Sequence, residues 1–245
     1  ARIIRRCEQM VGQQAFELVT DERLLNEMVG QIYHATKKEY ATESEIKSIR
    51  TAITYVKNMM LTENEIDDLK NGIEHFPQIY RAYNAALRSQ SRMDYDDQMV
   101  YAAQILRQYP EILKQFQGRY PYLCVDEAQD TSKIQHSIIR LLAGESPNLF
   151  MVGDEDQSIY GFRAAYPAAL MAFERVYPGA QVLLMEKNYR STSTIVGAAG
   201  KFIRQNGNRR EKNMTASHGE GPAIRELWAY DRADQYKYLA RLAAH

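Results

Sequence analysis

Acidic, amide and guanidinium side chains follow three short apolar runs of the sequence. Asp126 and Glu127 come directly after the first run, Gln157 follows the second, and Arg190 follows the third. Apolar runs that alternate with helices are typical of parallel strands, and ligands bind at the carboxyl ends of such strands. Because these ends share one edge of a sheet, we expect the four side chains to converge there. The runs are residues 122–125, 148–152 and 181–185.

This set of side chains matches the chemistry of nucleoside triphosphate hydrolysis. A carboxylate after a buried strand, here Asp126, can hold Mg²⁺ directly or through water. Glu127 can orient or deprotonate the attacking water, and Gln157 can sense the γ-phosphate or position that water. Arg190 can neutralise the charge that builds on the transferred phosphoryl group. The sequence therefore predicts a site for a nucleoside triphosphate and Mg²⁺.

Three segments resemble motifs II, III and IV of the UvrD/Rep/PcrA helicases of superfamily 1, and they occur in the same order. They are VDEAQDT at 125–131, VGDEDQSIYGFR at 152–163 and NYRS at 188–191. The resemblance implies a parallel RecA-like sheet, which is part of a P-loop NTPase motor domain, with ATP and Mg²⁺ as cofactors. It also implies an ATP-dependent DNA helicase that moves 3′ to 5′ on single-stranded DNA. Junctions with double-stranded DNA and repair or replication proteins would be its partners.

The same resemblance implies further site residues. Tyr189 would stack on the adenine, and Gln129 would support the nucleotide site. Tyr160, Phe162 and Arg163 would lie where motif III meets single-stranded DNA. Aromatic side chains suit that place, because stacking on a base is worth roughly 1–3 kcal/mol whatever the base. Many members of the family have Trp at the position of Phe162, and Phe retains the ability to stack.

Some of these polar residues also suit a purely structural role. Gln129 and Asp130 could cap the helix that follows them, and Asp154 and Asp156 could form a turn. The sequence leaves both interpretations open. Cys124 lies inside the first apolar run, and we expect it to be a small buried hydrophobic side chain.

Residues 1–114 are predicted to be mostly helical, as an accessory region of the kind that the family inserts into its motor. Capping-box patterns, with Glu three residues after Thr, begin at Thr42 and Thr62. The segment 93–97 resembles a short Asp-rich segment that precedes motif II in the family. Helix capping by Asp94 or Asp96 is an equal alternative. One apolar stripe typical of a buried helix face comprises Ile46, Ile49, Ile53, Val56 and Met60.

Two further divisions follow this helical region. Residues 115–178 would be the C-terminal half of a first RecA-like motor domain, and residues 179–245 the incomplete start of a second. A Ser132-x-x-Gln135 pattern marks the start of a helix between the first two strands. Helices are predicted at 132–142, 166–176, 191–205 and from 231 onward, and a further strand at 224–230.

The phosphate-binding loop G-x-x-x-x-G-K-[ST] does not occur in the sequence. At the one Gly-Lys pair, Gly200 and Lys201, Phe202 stands where Ser or Thr must bind Mg²⁺. This pair also lies in a predicted helix rather than after a strand. The chain starts at Ala1 without an initiator Met. We therefore expect an internal piece of a larger motor, which does not hydrolyse ATP by itself.

Composition excludes several classes of protein. Basic and acidic residues number 31 each, which gives zero net charge, yet residues 201–212 contain five basic residues and one acidic residue. That segment suits either phosphate contact or a solvated surface. No apolar run of 18 or more residues is present, so we expect no membrane span. Two cysteines cannot form a disulfide framework, so we expect a reducing compartment, the bacterial cytoplasm.

Two other functions fit the same motifs. One is a helicase-like ATPase subunit of a nuclease complex. The other is a non-catalytic remnant that binds DNA or docks a partner protein. A phosphate loop encoded before Ala1 would favour a motor, whereas nuclease residues encoded after His245 would favour the nuclease complex.

Overall fold

The computed structural model describes residues 1–12, 14–145, 147–161 and 164–244. The chain divides into two compact units, Ala1–Ala180 and Gln181–His245. Both units contain helices and a short parallel sheet, which confirms a mixed α/β fold. The domain boundaries predicted near 114 and 178 stay predictions.

The first unit consists mainly of helices, with short parallel strands between them. The helices are α1 (Arg2–Val11), α2 (Glu22–Lys37), α3 (Glu43–Met59), α4 (Glu63–Asp67), α5 (Phe76–Ser89), α6 (Tyr95–Gln108), α7 (Pro110–Arg119), α8 (Lys133–Ala143), α9 (Ala168–Met171) and α10 (Phe173–Val176). The strands are β1 (Glu17–Leu18), β2 (Arg92–Met93), β3 (Leu123–Val125) and β4 (Leu149–Met151). β1 pairs with β2, and β3 pairs with β4. The two short helices α9 and α10 stand where one helix was predicted over 166–176.

Helices α2, α3 and α5 enclose a hydrophobic core. Leu25 and Val29 of α2 are almost fully buried, as are Ile49, Ile53 and Val56 of α3. The apolar stripe predicted for α3 is therefore confirmed along its centre. Burial of each such side chain stabilises the fold by about 1.5–3 kcal/mol relative to exposure.

Both predicted capping boxes are present. The hydroxyl of Thr42 accepts a hydrogen bond from the N–H of Glu45, and the Glu45 carboxylate accepts one from the N–H of Thr42. Thr62 and Glu65 form the same arrangement at α4. Hydrogen bonds from Thr42 and from the Tyr33 hydroxyl lower the pKa of Glu45 to about 2. The Glu45 carboxylate therefore stays ionised at any pH near neutrality, which keeps this cap intact.

Asp94 caps helix α6. Its carboxylate accepts a hydrogen bond from the N–H of Asp97 at 2.8 Å, and the Asp97 carboxylate accepts one from the N–H of Asp94 at 3.1 Å. The capping alternative for the Asp-rich segment 93–97 is thus confirmed. This segment lies in the interior of the first unit, because Asp94 and Asp97 are both buried.

The sheet of β3 and β4 departs from expectation in its exposure. The strands are parallel, with Cys124 opposite Phe150, and α8 connects them with its predicted cap at Ser132. The prediction that Cys124 is buried is wrong, because Cys124 is exposed and Phe150 beside it is 63% exposed. Side chains alternate between the two faces of a strand, so both lie on one face that is open to solvent. The part of the sheet that the structure describes is therefore not buried on both faces.

The second unit has one parallel strand pair and two helices in its described residues. Its elements are β5 (Lys187–Thr192), α11 (Ser193–Ile203), β6 (Thr215–His218) and α12 (Arg232–Ala243). β5 pairs with β6, and α11 contacts both strands. Both predicted helices of this region are confirmed.

Two predicted strands of the second unit are wrong. Residues 181–185 and 224–230 form no ladder with another strand of the described ranges, so their backbone groups lack the partners that define a strand. Their apolar side chains remain in solvent, with Leu183 85% exposed and Trp228 86% exposed. Strand β5 begins only at Lys187, after the apolar run has ended.

Within the described ranges each sheet has two strands, so a continuous RecA-like sheet stays a proposal. Among the same residues, no helix combines the length and the apolar character needed to cross a membrane.

Candidate functional site

Backbone hydrogen bonds join the loops that follow β3 and β4. The N–H of Val152 donates to the carbonyl of Val125 at 2.8 Å, and the N–H of Ala128 donates to the carbonyl of Val152 at 2.9 Å. These bonds extend the contact between the strands beyond their ends. The polar side chains after the first two apolar runs therefore share one edge of the sheet, as predicted.

Glu127 is held in an uncommon backbone conformation at the start of the first loop. Its φ is 48°, in the left-handed region that non-glycine residues seldom adopt. The carboxylate of Asp126 accepts the N–H of Glu127 at 2.9 Å, and the amide of Gln129 donates to Glu127 Oε2 at 2.7 Å. Glu127 is nevertheless exposed, so its second carboxylate oxygen is accessible to a water molecule. This geometry suits a residue that orients or deprotonates water.

Gln129 connects the two loops. Its side chain is 1% exposed, and its Oε1 accepts the backbone N–H of Asp154 at 2.9 Å while its Nε2 donates to Glu127. Its backbone carbonyl also accepts the hydroxyl of Ser158 at 3.3 Å. Gln129 does not cap α8, because Ser132 performs that role. The position of the Glu127 carboxylate is thus tied to the backbone of the second loop, a contact that the sequence did not reveal.

Gly153 makes this close approach possible. A Cβ at this position would lie 2.9 Å from Gln129 Oε1, 2.9 Å from Leu170 Cδ1 and 3.2 Å from the backbone nitrogen of Ala128. The first two distances are below those that real Cβ atoms adopt, so a neighbour would have to move. The sequence shows a glycine directly after the second apolar run. It does not show that this glycine contacts Gln129, which lies 24 residues away in sequence.

We expect Gly153→Ala to lower the free energy of unfolding by about 1–3 kcal/mol, the usual cost of overpacking. The added methyl group would push Gln129 away from the N–H of Asp154. Urea unfolding followed by circular dichroism measures the change. Gly161→Ala is the matched control, because a Cβ there would meet no atom of the described residues within 4 Å. Equal stability of the two variants would contradict the packing argument.

Asp126 fits the role of a magnesium ligand. It is exposed, and one carboxylate oxygen accepts the N–H of Glu127, which leaves the other oxygen accessible. Mg²⁺ usually binds one or two carboxylates together with substrate phosphates and water. The described residues contain no group of three or more acidic, histidine or cysteine side chains that could hold a metal ion. Any Mg²⁺ at Asp126 would accordingly take most of its ligands from phosphate and water.

The second loop places Gln157 beside this edge. Gln157 is exposed, and its amide donates to Asp154 Oδ2 at 2.8 Å. Asp154 Oδ1 also accepts the N–H of Asp156 at 3.2 Å, so Asp154 stabilises a turn over 155–157. The amide of Gln157 is therefore held on the same loop that Gln129 anchors. Its contact with a γ-phosphate stays a prediction.

The predicted DNA contacts lie farther along the second loop. Tyr160 is 37% exposed, which leaves part of its ring accessible to a base. Phe162 and Arg163 lie outside the described residues, so the roles implied for them stay predictions.

Tyr189 and Arg190 lie within β5 rather than after a strand, which corrects the expected position of the third loop. Asn188 shapes this segment, because its Oδ1 accepts the N–H groups of Arg190 at 2.9 Å and of Ser191 at 2.8 Å. Tyr189 is 67% exposed, and the ammonium of Lys187 lies 5.4 Å from the centre of its ring. Both side chains belong to the second unit. Their convergence with the edge that carries Glu127 therefore stays a prediction.

Known proteins resemble the chain over nearly its whole length. A family model described as the UvrD/REP helicase N-terminal domain matches residues 1–178. The chain is 32% identical to the ATP-dependent DNA helicase PcrA of Staphylococcus aureus and 30% identical to the same-named protein of Staphylococcus epidermidis. Each likeness covers 98% of this chain and 33% of the relative. The chain thus spans about one third of the length of these relatives.

Proposed function

Because the chain belongs to the UvrD/REP helicase family, we propose that it forms part of an ATP-dependent DNA helicase. The natural protein that contains it, called the full-length protein below, would couple ATP hydrolysis to 3′–5′ movement on single-stranded DNA. The observation that carries the proposal is the Gln129 bridge between Glu127 and the N–H of Asp154. It links the loop suited to hydrolysis with the loop suited to DNA contact.

The proposed chemistry assigns one task to each residue at the sheet edge. Bound Mg²⁺ would neutralise charge on the phosphate oxygens, and Asp126 would hold it. Glu127 would take a proton from the attacking water, with its carboxylate oriented by Gln129. Gln157 would sense the γ-phosphate and position that water. Loss of the γ-phosphate would then alter the contacts of the loop that Gln157 shares with Tyr160.

The second unit would supply the remaining nucleotide contacts. Tyr189 would stack on the adenine, and Arg190 would stabilise charge on the transferred phosphoryl group. The exposure of both side chains supports these roles, since each is accessible to a ligand. The two units would belong to two different RecA-like motor domains.

On the DNA side, Tyr160 with Phe162 and Arg163 would contact single-stranded DNA by stacking and by charge. Junctions between single- and double-stranded DNA would be the sites of action, in repair, recombination or replication. The cytoplasm of a bacterium is the proposed compartment.

We further propose that the 245-residue chain by itself does not hydrolyse ATP. Gly200 and Lys201 lie inside helix α11 and not in a loop after a strand, so they do not form a phosphate cradle. The nucleotide would therefore lack the backbone cradle and the lysine that a phosphate-binding loop supplies to the β- and γ-phosphates.

ATP turnover with and without single-stranded DNA tests the proposed function. We expect DNA-stimulated turnover by the full-length protein and none above background by the 245-residue chain at equal concentration. Turnover by the chain alone would contradict its proposed inactivity. A full-length protein that binds DNA but does not hydrolyse ATP would contradict the helicase proposal itself.

A further inference from the structure

Four arginines line one groove on the surface of the first unit. The groove has a volume of about 440 Å³ and lies between α1 and α7. We call it the arginine groove, and no acidic residue lines it within the described part of the chain. Its lining residues are Arg2, Arg5, Arg6, Gln9, Gln115, Phe116 and Arg119.

The packing of α1 against α7 fixes the two walls of the arginine groove. Ile3 and Cys7 of α1 pack against the buried cluster that contains Ile112 and Phe116 of α7. Apolar contacts of this kind hold helices at a defined separation. The arginines therefore project from a rigid framework and not from a loop.

Hydrogen bonds orient two of the four guanidinium groups. Arg2 Nη1 donates to the hydroxyl of Tyr120 at 2.9 Å, and Arg6 Nε donates to Gln115 Oε1 at 2.7 Å. The guanidinium of Arg119 lies 5.7 Å from the centre of the Tyr120 ring. Each guanidinium carries five N–H donors, so most of the donors in the arginine groove remain available.

Among the described residues, no ion pair neutralises the positive charge of the arginine groove. In the described part of the chain, no carboxylate lies within ion-pair distance of Arg2, Arg5, Arg6 or Arg119. The chain as a whole has zero net charge, so four clustered cations are a strong local departure from the average. Such a concave cationic surface attracts anions, and the planar guanidinium matches phosphate oxygens in particular.

The arrangement favours a strand with repeated phosphates over a single small anion. Arg2 and Arg6 are one helical turn apart, about 6 Å along α1 at 1.5 Å per residue. A DNA strand carries one phosphate per nucleotide, so arginines spaced along one helix can contact several phosphates of the same strand. All four arginines are exposed, which leaves the arginine groove open to an extended ligand.

We propose that the arginine groove binds the phosphodiester backbone of a DNA strand, at a site separate from Tyr160 on the second loop. The proposal takes DNA as the ligand from the proposed function, but it requires no ATP hydrolysis. The arginine groove would grip the backbone whatever the sequence, because phosphate contacts carry no sequence information.

Binding of a fluorescent oligothymidylate to the full-length protein without nucleotide tests this proposal. Arg5→Glu is the informative variant. Within the described residues, the Arg5 side chain forms no hydrogen bond and no ion pair, so its replacement disturbs few other contacts. Lys114→Glu on α7 is the matched control, with the same charge change on an exposed residue that does not line the groove. Fluorescence anisotropy at several salt concentrations gives the affinity and its salt dependence.

We expect Arg5→Glu to weaken binding at least tenfold at 0.1 M salt and Lys114→Glu to weaken it less than twofold. The plot of log affinity against log salt concentration has a negative slope. This slope should become less steep by about 0.7 for each single-strand phosphate contact that is lost. Arg5→Lys should retain most of the affinity. Equal effects of Arg5→Glu and Lys114→Glu, or no effect of either, would overturn the proposal.

Competition by inorganic phosphate distinguishes a strand from a small anion. At constant ionic strength, 10 mM phosphate should leave the difference between wild type and Arg5→Glu unchanged. Loss of this difference in affinity would show a site for free phosphate and would overturn the proposal.

DNA-stimulated ATP turnover, measured on the same proteins, distinguishes failure of the arginine groove proposal from failure of the proposed helicase function. If Arg5→Glu binds DNA and hydrolyses ATP as the wild type does, the proposal for the arginine groove is wrong and the proposed helicase function stands. If the wild type does not hydrolyse ATP, the proposed helicase function is wrong.

Discussion

Replacement of Glu127 by Gln is expected to slow DNA-stimulated ATP hydrolysis by the full-length protein by about 10²- to 10⁴-fold, the usual contribution of a general base. Glutamine keeps the size of glutamate and an oxygen that can accept the hydrogen bond from Gln129. It cannot take a proton from the attacking water. The rate would therefore fall because the base is lost, while the loop keeps its position.

Steady-state ATP turnover at saturating single-stranded DNA measures this effect. Binding of a fluorescent ATP analogue should change little in Glu127→Gln, since the substitution leaves Asp126, the proposed ligand to Mg²⁺, in place. Glu111→Gln is the matched control, because Glu111 is exposed on α7 and lies outside both loops. Wild-type turnover by Glu127→Gln would show that another group activates the water.

The features that the sequence predicted correctly depend on neighbouring residues. A capping box at Thr42 needs only the identities of residues 42 and 45, and the buried stripe of α3 needs only a period of 3.6 residues. The parallel pairing of β3 with β4 follows from a strand, a helix and a second strand in succession. These signals are complete within a short window, so a single sequence contains them.

The features that could not be predicted from the sequence depend on contacts with residues that are distant along the chain. An apolar run such as 181–185 resembles a strand, but a strand also requires a neighbour to bond its backbone. No strand among the described residues pairs with this run. Cys124 resembles a buried residue, but its burial requires a second layer over its face of the sheet. The bridge from Gln129 to Asp154 requires the register of two strands and the small size of Gly153. Local sequence specifies none of these partners.

A buried ionic cluster in the helical part of the first unit was likewise invisible in the sequence. Lys57 Nζ lies 2.7 Å from Asp94 Oδ2 and 2.7 Å from Asp97 Oδ1, with side-chain exposures of 3%, 7% and 11%. The hydroxyl of Tyr83 donates to Asp94 Oδ2 at 2.9 Å. Burial alone would raise the pKa of Asp94, but the ammonium of Lys57 holds it below its usual value. The cluster therefore joins α3 to the cap of α6 through charges that water hardly reaches.

Substitution of Lys57 by Met is expected to lower the free energy of unfolding by about 3–5 kcal/mol, the cost of leaving a buried charge without its partner. Asp94 and Asp97 would lose their common cation and repel each other. Urea unfolding of the chain, followed by circular dichroism at 222 nm, measures the loss. Lys47→Met on the exposed face of the same helix is the matched control and should change stability by less than about 0.5 kcal/mol.

The pH dependence separates loss of charge from loss of packing. The pKa of Asp94 is lowered in the folded protein, whereas burial raises the pKa of Asp97. The ion pair of Asp94 with Lys57 therefore contributes stability above the ordinary pKa of 3.8, and this stability is lost as the pH falls below it. The difference between wild type and Lys57→Met should therefore narrow as the pH is lowered from 7 to below 3.8. A difference that stays constant over this range would attribute the loss to packing of the Lys57 side chain. If Lys57→Met lowers the free energy of unfolding by less than about 1 kcal/mol at pH 7, the ion pair is not buried. An exposed ion pair contributes no more than that.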